Sequence, residues 1–260
     1  MPKTVGTTFP RCRRILTINE PYLNRYHSHD AFNQFGVVLS NYMPDKGFDG
    51  IWSPAPIYRV QLSSKNPVSY NKTKRISVIC SGKQDSDYQR QRLRFVASLK
   101  EELGESLDVF GRDSHPIANK EEGIIPYRYH VALENCCHPH YWTEKIADAY
   151  MGGAYPFYSG CPNLDEYFPR ESYTPIDIFN IRDSVDTVAT LSASNLWREK
   201  RDVLMTARQR LIHQHDRLTA VSMMVKKLAY TLPPHANAPH AHAPCEPVIL
   251  RRNYDKDRES

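Results

Sequence analysis

The chain has 260 residues, an apolar fraction of 40% and a formal net charge of +5. This apolar fraction is enough for a packed core, and the length allows one large domain or two small ones. The modest positive charge is spread along the chain. It argues against nucleic-acid binding and suits an anionic substrate, an anionic membrane surface or simple solubility. Because no apolar run reaches the length of a membrane span, about 18 residues, no transmembrane helix is predicted.

Residues 1–71 are predicted to form a partial N-terminal α/β domain. The runs RRILTI (residues 13–18) and FGVVLSN (residues 35–41) have the composition of strands, and proline-rich loops follow them. The first fourteen residues, MPKTVGTTFPRCRR, lack the apolar stretch of a signal peptide. The six cysteines show no C-x-x-C spacing, so reduced thiols in a cytoplasmic protein are expected.

Residues 72–232 alternate between strand and helix patterns, as a doubly wound α/β fold requires. A helix is predicted over residues 87–103, because Leu93, Val96 and Leu99 recur at helical spacing and Gly104 marks an end. The predicted strands are RISVICS (75–81), LDVFG (107–111), HVALE (130–134), AYPFY (154–158) and TPIDI (174–178), and closing helices are predicted over residues 182–191 and 196–230.

Residues 233–260 have a different composition. The run PPHANAPHAHAPCEP has too little apolar surface to fold, so a disordered His/Pro-rich tail is predicted. His235, His240 and His242 could bind a metal adventitiously, and no physiological metal role is expected for them.

A group of polar residues follows the buried strand predicted at residues 129–133. A helix is expected to begin near Thr143 and to end at Gly152 and Gly153. In an open α/β sheet, ligands bind just beyond the carboxyl ends of the strands. The sequence therefore predicts a ligand site built from Glu134, Asn135, Tyr141, Thr143, Glu144 and Lys145.

Lys145 is the most specific indication of the ligand. It falls in the first turn of its predicted helix, where the helix dipole disfavours a cation. The first N–H groups of a helix lack partners and attract anions, so an added cation there favours a strong anion such as a diphosphate. The alternative is a solvated lysine paired with Asp148 or Glu144, and the spacing alone leaves both open.

Several motifs in this region occur together in one known family. YRYHVALEN, YWTEK, AYPFYSGCPNLDEYFP and PIDIFNI follow one another in that order. They resemble the donor-binding signature of the family 10 glycosyltransferases, the α1,3/4-fucosyltransferases that use GDP-fucose. Leu133 stands where that signature usually has Phe before Glu-Asn. The match is strongest over residues 75–183 and weaker upstream.

The resemblance implies a GT-B fold with two Rossmann-like halves. The second half would carry the nucleotide, and the first would carry the acceptor and the catalytic base. The first N-terminal landmark, ILTINEPYLNRY, comes early in the chain, so the N-terminal half is predicted to be truncated. The implied reaction moves fucose from GDP-fucose to a glycan hydroxyl with inversion, and it requires no metal or other cofactor.

Residue roles follow from the same resemblance. Glu20 matches the N-terminal Glu of the family and is the candidate base, with an ordinary surface turn before Pro21 as the alternative. Glu144 would face the sugar, and Lys145 would hold the diphosphate.

Arg92 lines up with a phosphate-binding Arg, although its neighbours Arg90 and Arg94 leave the register open. Asn135 and Tyr141 would bind ribose, phosphate or base edges, whereas Glu134 is expected to fix a loop by accepting backbone hydrogen bonds.

Other functions remain open at this point. Asp85-Ser86-Asp87 spells the D-x-D of metal-dependent transferases, but such matches are frequent by chance and Asp87 is also a good helix N-cap. The chain could instead transfer another nucleotide sugar, or be a non-catalytic remnant that binds a GDP-sugar. The expected location is the cytoplasm, with peripheral membrane association, and lipopolysaccharide is the expected type of acceptor.

Overall fold

The computed structural model describes residues 4–5, 11, 14–18, 32–40, 51–53, 71–111, 115–215, 219, 222–223, 225–226 and 248–249. The chain divides into two compact units, one of Met1–Ile57 with Leu218–Ser260 and one of Tyr58–Arg217. Glu20 and the three histidines of the predicted tail lie outside the described residues.

The first unit contains two small sheets. Strand β1 (Thr4–Val5) belongs to one of them, a two-stranded sheet. The other is a parallel sheet of β2 (Ile15–Ile18), β3 (Val37–Ser40) and β4 (Ile51–Ser53), in the order β2-β3-β4. The two strands expected from RRILTI and FGVVLSN are confirmed as β2 and β3. All of β3 is buried, as is typical of a strand in a parallel sheet covered on both faces. The sequence did not indicate β4, which has only three residues.

The second unit alternates strands and helices. Its elements are β5 (Lys74–Ile79), α1 (Asp87–Leu103), β6 (Leu107–Phe110), α2 (Lys120–Ile124), β7 (Tyr127–Leu133), α3 (Glu144–Gly152), β8 (Tyr155–Ser159), β9 (Thr174–Pro175), α4 (Ile181–Ala193), α5 (Leu196–Glu199) and α6 (Arg201–Gln214). The last strand in the chain, β10 (Val248–Ile249), belongs to the first unit. It lies within the segment predicted as a tail and pairs with β1 in antiparallel fashion.

The second unit is built on one five-stranded parallel sheet with the order β6-β5-β7-β8-β9. The chain passes from β5 to β6 on one side and then to β7 on the other side of β5. This reversal creates a topological switch point between β5 and β7, where the carboxyl ends of neighbouring strands leave a crevice. The doubly wound fold that the alternating strand and helix patterns predicted is therefore observed.

The core of this unit lies against the sheet. Ile76, Val78, Tyr129, Val131 and Phe157 of the three central strands are completely buried. Val78 lies opposite Val131, and Val131 opposite Phe157, so the apolar side chains form a continuous row across the strands. Each such burial stabilises the fold by roughly 1.5–3 kcal/mol, which makes this sheet a rigid base for its connecting loops.

Two predicted elements are shorter than expected. The strand predicted over residues 174–178 ends at Pro175, because Asp177 turns the chain by accepting the Phe179 N–H at 2.9 Å. The long helix predicted over residues 196–230 is divided between α5 and α6 at Lys200, whose ψ of 11° is not helical.

Helix α2 was not predicted, because five residues are too short to show a periodic pattern. Its one signal was the capping box of Asn119 and Glu122, an N-x-x-E spacing.

Two further properties concern only the part of the chain that the structure describes. None of the helices in this described part is both long and apolar enough to cross a membrane. Its described cysteines, Cys80, Cys136, Cys137 and Cys161, are free thiols.

Candidate functional site

A cleft of about 1180 Å³ opens at the carboxyl ends of β5, β6 and β7. Its walls are the loops that follow β5 and β6, the end of β7, and the first turns of α2 and α3. This is the switch point of the sheet and the edge at which the sequence predicted a ligand site. Arg92, Asn135, Glu144 and Lys145 all line it, so four of the predicted site residues are brought together.

Glu134 fixes the start of α3, the helix that carries Glu144 and Lys145. The residue is completely buried. Its Oε1 accepts the Thr143 backbone N–H at 2.8 Å, and its Oε2 accepts the Thr143 hydroxyl at 2.7 Å. Burial raises the pKa of Glu134, while Lys145 and the Thr143 hydrogen bonds act in the opposite direction. The expectation that Glu134 fixes a loop is confirmed, since it ties the end of β7 to the start of α3.

Lys145 lies at the entrance to α3 and is held loosely. Thr143 caps the helix by accepting the Lys145 N–H at 3.4 Å. The Lys145 Nζ lies 3.5 Å from both Glu134 Oε2 and the Thr143 hydroxyl, and 4.0 Å from Glu144 Oε1. Of the two partners considered from the sequence, Glu144 is in reach and Asp148 pairs with another lysine. These three contacts with described residues are all long, which leaves the ammonium group able to bind an anion.

That other lysine is Lys120, the first residue of α2. Its Nζ lies 2.8 Å from Asp148 Oδ2 and 3.4 Å from Glu144 Oε1. Burial opposes the charge of Lys120, but the two carboxylates outweigh it and raise the Lys120 pKa. The sequence did not single out this residue: a cation in the first turn of a helix pointed to Lys145, but helix α2, which Lys120 begins, was itself not predicted.

The two carboxylates beside Lys120 differ in environment. Burial raises the pKa of Asp148 to about 6 despite the attraction of Lys120, and the Asp148 Oδ1 has no hydrogen-bond partner among the described residues. Burial also opposes ionisation of Glu144, yet Lys145 and Lys120 outweigh it and lower the Glu144 pKa. The cleft therefore contains one carboxylate that stays ionised and one that is poised to take up a proton.

Of the three arginines considered from the sequence, Arg92 lines the cleft and Arg90 and Arg94 do not. The side chain is almost fully buried and donates to Asn135 Oδ1 at 2.7 Å and to the Ser81 carbonyl at 3.2 Å. Arg90 instead pairs with Asp87 on the exposed side of the helix, and Arg94 is exposed. Arg92 thus ties together the loops after β5 and β7.

Tyr141 is placed differently from the other predicted residues. It is 2% exposed, and its backbone N–H donates to the His138 carbonyl at 3.1 Å. It is not among the residues that line the cleft.

His130 on β7 forms part of the cleft wall and was not singled out from the sequence. The Ser77 hydroxyl donates to the Gly123 carbonyl, so the contact of 2.9 Å between Ser77 Oγ and His130 Nδ1 has the imidazole as donor. Burial, with Lys120 and Lys72 nearby, lowers the His130 pKa to about 3. The ring is therefore neutral, and its tautomer is fixed with Nε2 as an acceptor.

The D-x-D tripeptide lies outside this site. Ser86 is the N-cap of α1, accepting the Gln89 N–H at 3.2 Å, so the expectation that Asp87 caps the helix was wrong by one residue. Neither Asp85 nor Asp87 lines the cleft. Within the described ranges, no three His, Cys, Asp or Glu side chains come together as a metal site would require.

The fold and the cleft define a class of protein. A doubly wound parallel sheet with a cleft at its switch point is the architecture typical of α/β proteins that bind nucleotides, and the fold is of the GT-B glycosyltransferase type.

Comparison with known proteins then gives the family. Residues 69–216 match the model of glycosyltransferase family 10 (fucosyltransferase), C-terminal part, and the chain belongs to this family. The resemblance found in the sequence motifs is confirmed.

Two curated relatives illustrate the match. The chain is 31% identical over 183 residues to human 3-galactosyl-N-acetylglucosaminide 4-alpha-L-fucosyltransferase FUT3, covering 65% of this chain and 47% of the relative. It is 32% identical over 76 residues to the Helicobacter pylori alpha-(1,3)-fucosyltransferase FucT, covering 29% of this chain and 16% of the relative. The chain thus spans less than half the length of each.

A solved structure supports the fold. The crystal structure of an alpha1,3-fucosyltransferase with GDP superposes with a TM-score of 0.54 and 18% identity, covering 75% of this chain and 66% of that one. At this identity the likeness concerns the fold.

Proposed function

We propose that this chain binds GDP-fucose in the cleft and transfers fucose with inversion to a hydroxyl of a glycan acceptor. The observation that carries the proposal is the Lys145 ammonium, which lines the cleft at the start of α3 with contacts no shorter than 3.5 Å. Membership of the fucosyltransferase family supports the choice of sugar and nucleotide.

The diphosphate is the part of the donor that this geometry suits best. Lys145 can exchange its long contacts for a phosphate oxygen, and charge-assisted bonds of that kind are roughly twice as strong as neutral ones. The buried guanidinium of Arg92 adds positive potential while it keeps Asn135 and Ser81 in place. Because Asn135 accepts from Arg92 with Oδ1, its amide N–H groups remain available to donate to phosphate or ribose.

The transfer step needs a base and a carboxylate near the sugar. In an inverting transfer the acceptor hydroxyl attacks the anomeric carbon, a base takes its proton, and GDP leaves with the electron pair of the broken glycosidic bond. The transition state carries positive charge on the sugar ring. Glu144 is ionised and lines the cleft, so we assign it to stabilising that charge. Glu20, outside the described residues, is the proposed base.

Neutralisation of the departing diphosphate is assigned to side chains in this proposal. Lys145 and Arg92 both line the cleft and supply two positive charges. No metal is needed in such a scheme. Tyr141 remains a proposed donor-binding residue, and to reach the nucleotide its side chain would have to leave its buried position.

Calorimetric titration with GDP, GDP-fucose and UDP tests the donor site. We expect GDP and GDP-fucose to bind, and Lys145→Ala to weaken binding about tenfold or more, since a hydrogen bond to a charged group contributes about 1.5–3 kcal/mol. Lys200→Ala, which removes the same charge outside the cleft, is the matched control. A folded protein that binds none of these nucleotides would overturn the proposal. Binding without transfer of fucose to any glycan would identify a GDP-sugar-binding remnant instead.

A further inference from the structure

Lys120 and Lys145 hold their carboxylate partners in different ways. Lys120 makes a close ion pair of 2.8 Å with Asp148, whose side chain is 2% exposed, and a second contact of 3.4 Å with Glu144. Lys145 has no contact shorter than 3.5 Å among the described residues. Its Nζ lies 4.0 Å from Glu144 Oε1, the same oxygen atom that Lys120 contacts. One lysine is therefore committed to α3, and the other is free to meet a ligand.

The sequence spacing on α3 explains why a committed cation is needed. Glu144 and Asp148 are four residues apart, so their carboxylates lie on one face of the helix, where like charges repel. Lys120 reaches between them from α2, which packs against α3. Glu134, at the end of β7, is the third carboxylate facing this group, and it is already bound to Thr143 and Lys145.

Loss of the Lys120 charge would therefore redistribute the remaining partners. Glu144 would keep only Lys145 as a cation, and it would draw that ammonium group toward itself. Lys145 would then be less available to an anion in the cleft. In the observed structure Lys120 pairs with the carboxylates of α3, and Lys145 therefore stays available to an anion.

We propose that Lys120 is a positioning residue: by holding Glu144 and Asp148 together, it keeps the Glu144 carboxylate fixed and ionised and leaves Lys145 free for the diphosphate. This inference rests on the proposed function for its consequence in donor binding. The arrangement of Lys120, Glu144 and Asp148 itself does not depend on that function.

The first measurement is a carboxyl NMR titration of the unliganded protein, which needs no activity. We expect Lys120→Met to move the Glu144 titration to higher pH, because one of its two cations is lost, and Lys120→Arg to restore it toward the original position. Lys83→Met is the matched control. Lys83 lines the same cleft and makes no hydrogen bond or ion pair among the described residues, so this change should leave the Glu144 titration where it was.

The second measurement is GDP binding by the same variants. Lys120→Met is expected to weaken GDP binding about tenfold, corresponding to roughly 1.4 kcal/mol. Lys120→Arg should recover most of it. An unshifted Glu144 titration in Lys120→Met would overturn the proposal, and so would an equal loss of GDP affinity in Lys200→Met, a change outside the cleft, which would indicate a general effect of charge. If wild type binds no GDP but the titration shifts, the proposed function fails and the positioning role stands.

The single variant leaves Asp148 buried without a counter-charge, and that can prevent folding. Lys120→Met/Asp148→Asn removes both charges and keeps the side-chain sizes close to the original. Because loss of the Asp148 charge by itself favours ionisation of Glu144, the reference is Asp148→Asn alone, and the Glu144 titration of the double variant should lie at higher pH than in that single variant. A double variant that folds and titrates like Asp148→Asn at Glu144 contradicts the inference.

Discussion

Gly160 lies where the loop after β8 passes closest to Glu134. A Cβ atom at Gly160 would lie 2.4 Å from Glu134 Cγ and 2.6 Å from the hydroxyl oxygen of Tyr158. Both neighbours are held by hydrogen bonds, since Glu134 accepts from Thr143 at 2.8 and 2.7 Å and the Tyr158 hydroxyl accepts the Cys161 N–H at 2.9 Å. Neither can move aside without losing a partner, so Gly160→Ala directly perturbs the link between Glu134 and Thr143 at the start of α3.

The expected cost has two parts. Forcing an extra methyl group into a packed interior costs about 1–3 kcal/mol. Releasing a buried, hydrogen-bonded carboxylate adds roughly 1–3 kcal/mol. We therefore expect Gly160→Ala to lower the free energy of unfolding by about 2–6 kcal/mol, and the melting temperature by roughly 5 °C or more in a unit of this size. GDP binding should weaken as well, because the displaced Glu134 no longer anchors Thr143 at the start of α3.

Gly104→Ala is the matched control for this substitution. Gly104 ends α1 with a φ of +51° and has nothing within 4 Å of an added Cβ, so alanine there strains only the backbone, by about 1–3 kcal/mol. This variant should lose stability and keep the wild-type affinity for GDP. Chemical unfolding and calorimetric titration of both variants give the comparison. A Gly160→Ala protein with wild-type stability and affinity would refute the argument that the close approach fixes Glu134.

Two further predictions concern the fold that carries the cleft. Ser86→Ala removes the N-cap of α1 and should cost about 1 kcal/mol in urea unfolding, whereas Asp87→Ala loses only an exposed pair and should cost less than about 0.5 kcal/mol. His130 has a folded pKa of about 3 against 6.5 when unfolded, so the unfolded state binds more protons between these values and stability falls as the pH drops. From pH 7 to pH 5 this group should remove about 2 kcal/mol of stability. His130→Gln should lessen the loss by a similar amount, and an unchanged pH dependence in the variant would contradict the assignment.

The sequence was most informative where a pattern is local. The helix over residues 87–103 was predicted with both ends as observed, because periodic apolar residues and a terminal glycine act within one segment. The buried face of this helix includes Phe95 in addition to the predicted Val96 and Leu99. Arg92 lies on the same buried face. The same spacing of three and four residues could therefore have separated Arg92 from Arg90 and Arg94.

The parts of the site that the sequence did not reveal depend on tertiary contacts. Lys120 and Asp148 are 28 residues apart, and only the packing of α2 against α3 brings them together. The placement of Tyr141 in the interior likewise depends on the course of the loop after β7. Because these contacts are set by the sheet and not by neighbours in sequence, no local pattern distinguishes them from solvated surface residues.

The helix that carries Glu144, Lys145 and Asp148 is fixed at both ends. At its start, Glu134 binds Thr143, and at its end the Lys72 ammonium group donates to the carbonyl of Gly152 and, at 2.7 Å, to that of Ile125 at the end of α2. A cation at two helix C-termini is favourable because the carbonyl groups there carry partial negative charge. Burial opposes that charge and lowers the Lys72 pKa to about 7. The carbonyls of both helices still converge on this one side chain. Helices α2 and α3 are thus joined at one end by Lys72 and at the other by Lys120, so the charged groups of the cleft are in position before a ligand arrives. Binding then requires little further ordering of the protein, which is the condition under which a loosely held ammonium group such as that of Lys145 can contribute most to affinity.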